Sequence, residues 1–152
     1  MKLSQSLVFK RSIQFDEIDA GGVLYHANYI KICDQVRNFY YSEMGFDFFK
    51  QKDLDLALAI VDCSARYMRF VQMQDIYVVT RLVAGTRKTL KVKHVFCRSA
   101  PSPEQLIEAG DKLESLAETF FMAEFTLLGM SYQAAKSREI PAELLKLLGC
   151  AV

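Results

Sequence analysis

The pattern of apolar and polar residues changes period more than once along the chain. Residues 7–15, LVFKRSIQF, partly alternate and predict a first strand. The acidic and small residues of D-E-I-D-A-G-G, Asp16 to Gly22, then mark a turn or loop. From about Asn28 to Met44 the apolar period becomes helical. Ile30, Cys33, Val36, Tyr40 and Met44 share one face, and Gly45 follows where a C-cap glycine belongs. Ile32, Phe39 and Tyr41 lie on the flanks, so this helix is apolar beyond a single stripe and is predicted to be buried on several sides.

After the polar connector KQKDLD the chain turns strand-like. Residues 57–70, 76–84, 89–98 and 117–130 are rich in β-branched and aromatic side chains. In the third of these runs Leu90, Val92, His94 and Phe96 alternate with Lys91, Lys93 and Val95, the signature of a half-buried strand. The run APSPEQLIEAGDKLES between the last two strands is too long and polar for a tight hairpin. It is expected to be an extended loop with a helical turn in PEQLIEA. A short C-terminal helix is expected from Pro141, a residue favoured at the first helical position. One strand, one long buried helix and four further strands define an α+β fold: an antiparallel sheet of five to six strands wrapped around a central helix. Such a sheet leaves edges that dimerisation would pair. With 152 residues and no internal repeat or linker, a single domain over 1–152 is expected.

Composition narrows the functions. Nineteen Lys and Arg against eighteen Asp and Glu give a net charge of +1, which offers no electrostatic case for a nucleic-acid partner. No stretch approaches the roughly 18 uninterrupted apolar residues of a membrane span, and MKLSQSLVFKRSIQF lacks the apolar core of a signal peptide. Cys33, Cys63, Cys97 and Cys150 are scattered, with neither a C-x-x-C pair nor a histidine at metal-ligand spacing. They read as reduced thiols, with no metal expected and a cytoplasmic location.

The chemistry is concentrated in F-D-E-I-D-A-G-G-V-L-Y-H-A-N-Y, Phe15 to Tyr29. This segment resembles the signature of the 4-hydroxybenzoyl-CoA thioesterase family, D-x-D-x-x-G-x-V-Y-H-x-N-Y, with Asp19, Gly22, Val23, Tyr25, His26, Asn28 and Tyr29 in register. D-I-Y-V at 75–78 and I-P-A-E-L at 140–144 also look familial, so the resemblance covers almost the whole chain. It implies a hotdog fold and an enzyme that hydrolyses a CoA thioester. By resemblance, Asp19 attacks the thioester carbonyl to give a mixed anhydride, or activates water as a general base. The carbonyl oxygen would be held by the backbone N–H of His26 at the helix start, where unpaired donors and the helix dipole favour negative charge. The His26 side chain orients water or Asp19 in the His-bearing branches of the family. No cofactor is implied, because coenzyme A is part of the substrate.

Plainer roles compete for the same residues. Asp19 before Ala-Gly-Gly also suits a turn, Gly21 and Gly22 also suit a backbone with positive φ, and Asn28 is as good a helix N-cap as a substrate contact. Gly22, Tyr25 and Asn28 are nonetheless taken as substrate-binding candidates. Glu17 stands where the family often has Asp, with Asp16 and Glu17 as solvated turn residues. His94, on an apolar-alternating face, reads as a satisfied core histidine.

For the coenzyme phosphates the basic residues Arg66, Arg69, Arg87, Lys88, Lys91 and Lys93 offer a mouth, with Arg87 and Lys88 in the G-T-R-K turn chosen as contacts. Tyr25, Phe39, Tyr40, Phe46, Phe48 and Phe49 would line the acyl pocket. The run LALAIVDCSARYMRF is similar to the branch that hydrolyses 1,4-dihydroxy-2-naphthoyl-CoA in quinone synthesis, whereas Y-H-A-N-Y is closer to the Tol-Pal-associated short-chain branch. Phe70, where many members carry Pro, and the long 99–116 loop depart from both. The expected substrate is an aroyl-CoA, with a short-chain aliphatic acyl-CoA as the alternative. A non-catalytic acyl-CoA-binding module and an acyl-thioester dehydratase are the competing classes, the latter lacking its His-containing motif on the helix. The resemblance further implies a homodimer assembling into a homotetramer.

Overall fold

The structure is a computed structural model that describes residues 6–150, apart from the side chain of Phe48. The first five residues, which carry part of the leader-sequence reading, lie outside it. Five strands form one antiparallel sheet: β1 (Leu7–Ser12), β2 (Ala57–Tyr67), β3 (Asp75–Gly85), β4 (Thr89–Cys97) and β5 (Thr119–Met130). Their hydrogen-bonded order is β1-β3-β4-β5-β2, so β1 and β2 are the edges. Helix α1 (His26–Glu43) lies in the concave face, α2 (Pro103–Ala109) joins β4 to β5, and α3 (Ala142–Leu147) closes the chain.

The expected wrapping follows from α1. Tyr29, Ile32, Cys33, Val36, Arg37, Tyr40 and Tyr41 are buried on one half of its circumference, whereas Lys31, Gln35, Asn38, Phe39 and Ser42 on the other half are exposed, so the helix presents one broad buried face and not the burial on several sides that the sequence suggested. The sheet meets it with Ile76, Val78, Leu90, Val92, Phe96, Phe121, Phe125 and Leu127, all within one core. Gly45 ends the helix with φ of +85°, letting the Phe46 amide reach back to the Tyr41 carbonyl at 2.9 Å. Element bounds differ from the periodic pattern mainly where local bonds intervene. β1 stops at Ser12 because Phe15–Glu17 form a 3₁₀ turn. β2 stops at Tyr67, where the Met68 and Arg69 amides both converge on the Phe120 carbonyl at 2.9 and 3.0 Å. Helix α1 begins two residues before Asn28, and Pro141 caps α3 rather than opening it.

The 99–116 segment departs most from expectation. It is not merely an extended loop but a cover for the convex face of the sheet. Leu113 and Leu116 pack on Val79, Val95 and Cys97. The guanidinium of Arg81 donates to the carbonyls of Leu106 (2.9 Å) and Gly110. Lys93 donates to the Asp111 carbonyl at 2.7 Å and pairs with Glu114 at 3.0 Å. A capping box at Ser102 and Gln105 starts α2. β4 is therefore buried on both faces from Val92 to Cys97 rather than half-buried, and Lys93 is a structural clamp rather than part of a ligand mouth.

His94 sits in the core as expected, with Nδ1 2.7 Å from the Thr80 hydroxyl and its ring edge-on to Phe125. It is only half-satisfied, since Nε2 meets no partner among the described residues. Burial, and then the charge of Arg37, hold its pKa well below the ordinary histidine value. The unfolded chain gains a proton on His94 near pH 6.5 while the folded chain does not, so this group's contribution is full above that pH and is lost as pH falls. Urea denaturation between pH 5 and 7.5 checks this. Wild type should lose up to about 1.4 kcal/mol per pH unit more than His94→Gln below pH 6.5; parallel profiles would exclude a role for His94.

Candidate active site

The Asp19 loop is shaped by its own backbone. The Asp19 amide donates to the Val23 carbonyl at 2.9 Å and the Gly22 amide to the Asp19 carbonyl at 3.0 Å. Gly22 holds φ of +79°, a conformation costly for other residues, and a Cβ there would meet nothing within 4 Å. Glycine there meets a conformational need, and no protein atom crowds the position. On the carboxylate, Oδ1 accepts from the amides of Gly21 (2.8 Å) and Val23 (3.4 Å), while Oδ2 has no partner among the described residues. One oxygen orients the group and the other stays available. Asp19 is thus a turn former and a presented carboxylate at once.

Loop and helix are tied together at Glu17. Its main-chain carbonyl accepts from the Tyr25 amide at 3.0 Å and from the Asn28 side-chain amide at 3.0 Å. Its carboxylate is buried, pairs with Arg11 and accepts from the Gln14 amide at 2.8 Å. Glu17 is not the solvated turn residue that the sequence suggested. Asn28 is not an N-cap, because α1 starts at His26, and its side-chain NH2 is bonded to the loop. Tyr25 occupies the N-cap position without a side-chain cap. At the start of α1 the amides of His26 and Ala27 bond no acceptor among the described residues, leaving two donors at the positive end of the helix dipole.

Asp19 and His26 share a cleft of about 420 Å³ with Val23, Leu24, Tyr29, Tyr67, Met68, Arg69 and Phe70. Tyr29 and Tyr67 meet edge to face at 5.0 Å and are backed by Phe96 and Phe121. The structure thus brings together the two residues given catalytic roles, but with walls other than those foreseen. Tyr25 is exposed beside the His26 ring and does not line the cleft. Tyr40 is buried in the core. Phe39, Phe46 and Phe49 line a separate groove of about 970 Å³ between α1 and β1. The side chain of Phe48 lies outside the described residues.

Arg87 and Lys88 sit in the β3–β4 turn, at the opposite end of β3 from Asp75. Asp75 pairs with Ser12 and neighbours the Asp19 end of the sheet. Ten strand steps separate the two ends by roughly 30 Å, so these two residues do not reach the cleft. Arg87 is exposed and faces Glu139 at 3.8 Å. Arg69 is the cation that lines the cleft. No strand-register argument from sequence distinguishes it, because it lies just past the end of β2, where alternation lapses. Among the described residues no three side chains converge as a metal site, and no helix is long and apolar enough to cross a membrane.

The loop–helix tie has a measurable weight. Asn28→Ala removes one hydrogen bond worth about 1 kcal/mol and should lower the melting temperature by about 2–4 °C. An unchanged melt would show that the Glu17–Asn28 bond is not holding the loop.

Comparison with known proteins agrees with the fold. A protein of Aquifex aeolicus is 26% identical over 72 residues, which covers 47% of this chain and 56% of that one, little more than half its length. The 4-hydroxybenzoyl-CoA thioesterase of a Pseudomonas species is 22% identical over 120 residues, 76% of this chain and 85% of the other. Among solved structures, an Asp-to-Asn variant of 4-hydroxybenzoyl-CoA thioesterase bound to 4-hydroxybenzoyl-CoA superposes with a TM-score of 0.76 at 17% identity, covering 94% and 98% of the two chains. A 1,4-dihydroxy-2-naphthoyl-CoA thioesterase from Synechocystis gives 0.78 at 12% identity, covering 95% and 96%. The model of the thioesterase-like superfamily matches residues 13–148. With that match spanning most of its length and a five-stranded sheet curled around α1, the chain belongs to the thioesterase-like superfamily and carries the hotdog fold.

Proposed function

We propose that this chain hydrolyses an aroyl-CoA thioester to the free aromatic acid and coenzyme A, with Asp19 as the catalytic carboxylate. The observation that carries the reading is the shared cleft. Asp19, whose Oδ1 alone is held by loop amides, and His26, whose amide opens α1, line one cavity. A thioester carbonyl seated there would have a nucleophile or base on one side and donors for its oxygen on the other. Either Asp19 Oδ2 attacks the carbonyl carbon and releases the CoA thiolate, leaving a mixed anhydride for water to open, or it takes a proton from attacking water. The His26 ring, also in the cleft, would orient that water. The aromatic walls Tyr29, Tyr67 and Phe70 favour a flat aryl group over a short aliphatic chain. The names of the similar thioesterases, which act on hydroxybenzoyl- and dihydroxynaphthoyl-CoA, support the same class.

A dimer would complete the site. β2 pairs with β5 on one side only, and its free edge exposes Ile60, Val61 and Tyr67. An unpaired strand eleven residues long with apolar side chains invites antiparallel pairing with its own copy. Such pairing sets the ends of the two sheets in opposite senses. It would carry the partner's G-T-R-K turn toward the end that holds Asp19, where Arg87 and Lys88 could meet the coenzyme phosphates that Arg69 alone does not neutralise. Further pairing into a tetramer and a cytoplasmic setting belong to the same reading.

The test is CoA release from a panel of benzoyl, hydroxybenzoyl, dihydroxynaphthoyl and short aliphatic CoA esters. Asp19→Ala should lose about 10³-fold or more in kcat/KM. Full activity in that variant would remove Asp19 from the mechanism. Preference for aliphatic esters would move the substrate to the short-chain class, and tight ester binding without turnover would leave a binding module. Charge reversal of Arg87 and Lys88 should raise KM without lowering kcat if they serve the coenzyme; an unchanged KM would rule them out.

A further inference from the structure

We propose that Phe70 is the specificity-determining residue of the cleft, the ring on which an aroyl group stacks; this rests on the thioesterase reading above. Three aromatic side chains line the cleft beside Asp19 and His26: Tyr29, Tyr67 and Phe70. Two of them are already engaged by the protein. Tyr29 is 3% exposed and lies against Phe96 and Phe121, with ring centroids 5.7 and 4.8 Å away. Tyr67 is half exposed, but it meets Tyr29 and Phe121 at 5.0 and 4.9 Å, and its hydroxyl donates to the His26 carbonyl at 2.9 Å. Phe70 differs from both. It is 79% exposed and meets no other ring among the described residues. An aryl group in this cleft therefore finds one ring that is largely uncovered, and that ring is Phe70.

An exposed phenylalanine on a protein surface is ordinary in itself. What sets Phe70 apart is a backbone held on both sides of it. The Arg69 amide donates to the Phe120 carbonyl at 3.0 Å. The Val71 amide donates to the Tyr29 hydroxyl at 3.4 Å, and the Val71 carbonyl accepts from the Leu24 amide at 2.7 Å. Leu24 follows Val23, whose carbonyl accepts from the Asp19 amide at 2.9 Å. The main chain that carries Phe70 is thus tied to the loop that carries the carboxylate. Sharing of the Phe120 carbonyl by the Met68 and Arg69 amides also ends the strand alternation, so that four consecutive residues, Tyr67 to Phe70, line the cleft. An aryl group brings a flat π face, and aromatic pairs gain more than their buried area alone supplies. A two- or four-carbon acyl chain brings no such face. The coenzyme arm is common to every ester, so a contact between it and Phe70 would not distinguish one acyl group from another.

The variant Phe70→Leu keeps an apolar side chain and removes the ring. Its kcat/KM for benzoyl and hydroxybenzoyl esters should fall roughly fivefold to tenfold, while acetyl and butyryl esters stay within about twofold of wild type. Phe70→Tyr, which restores a ring, should recover the aroyl rate. A second readout does not depend on turnover. Calorimetric titration with the non-hydrolysable thioethers S-phenacyl-CoA and S-acetonyl-CoA should show Phe70→Leu weakening the phenacyl compound alone, by about the same factor. An equal loss for both thioethers would place Phe70 against the coenzyme and overturn the specificity role, as would no loss for either. A lower sedimentation coefficient for the variant would assign the ring to contact with a second copy and overturn the role equally. With wild type active on aroyl esters, each of these outcomes leaves the thioesterase reading intact. Absence of wild-type turnover on every aroyl ester would instead overturn the functional reading, and this inference with it.

Discussion

The burial of α1 constrains everything else in this molecule. Seven of its eighteen residues are buried, including Tyr29, Arg37, Tyr40 and Tyr41, all on one half of the helix, and covering half a circumference takes a curved sheet and not a flat one. Enclosure fixes the curl of the sheet, and the curl leaves β1 and β2 as edges on either side of the helix. It also fixes the site. A helix buried along its length still has a first turn whose amides have no helical partner, and here that turn emerges at the sheet end where β2 terminates. The free amides are therefore a by-product of the packing, and His26, which carries one of them, borders the cleft at the end where the sheet stops.

What converts this turn into a site is the tie between the Asp19 loop and the helix. The Glu17 carbonyl receives both the Tyr25 amide and the Asn28 side chain, and the buried Glu17 carboxylate is compensated by Arg11 and the Gln14 amide. A buried charge without such partners would cost several kcal/mol. With them, it anchors a loop that would otherwise be held by its own turn bonds alone. Catalysis by a preorganised donor depends on its being fixed before the charge develops. The same polar contacts that make the loop rigid thus make the carboxylate and the amides a matched pair.

The parts of the fold and site that were legible in the sequence share a physical cause. Period-based arguments located α1 and all four later strands, because apolar spacing reports burial directly. That Asp19 and His26 lie together was legible because their turn and the helix start are adjacent in sequence. Legibility failed where a residue's partner is distant. Glu17 looks solvated until Arg11 is placed beside it, and Asn28 looks like a cap until Glu17 is. Lys93 looks like a ligand contact until the 99–116 segment folds back over β4 and takes its charge. The aromatic residues around α1 misled for a related reason: Phe39 lies in the helix and Phe46 just past it, but both lie on the side facing β1. The cleft walls come from residues 67–70, beyond the end of a strand, where no period is left to read.

The position of Tyr67 and Arg69 links assembly to chemistry. Both belong to the segment at the end of β2, an edge strand with unpaired backbone groups. An edge strand is among the more easily opened parts of a sheet, since only one neighbour holds it. The bond from Tyr67 to the His26 carbonyl therefore ties the start of α1 to an edge strand of the sheet. Pairing β2 with a second copy would supply the missing neighbour and steady that bond at the same time. On this argument the edge is not a liability left over from folding. Were a second copy to pair there, self-association and the setting of the cleft would depend on the same backbone.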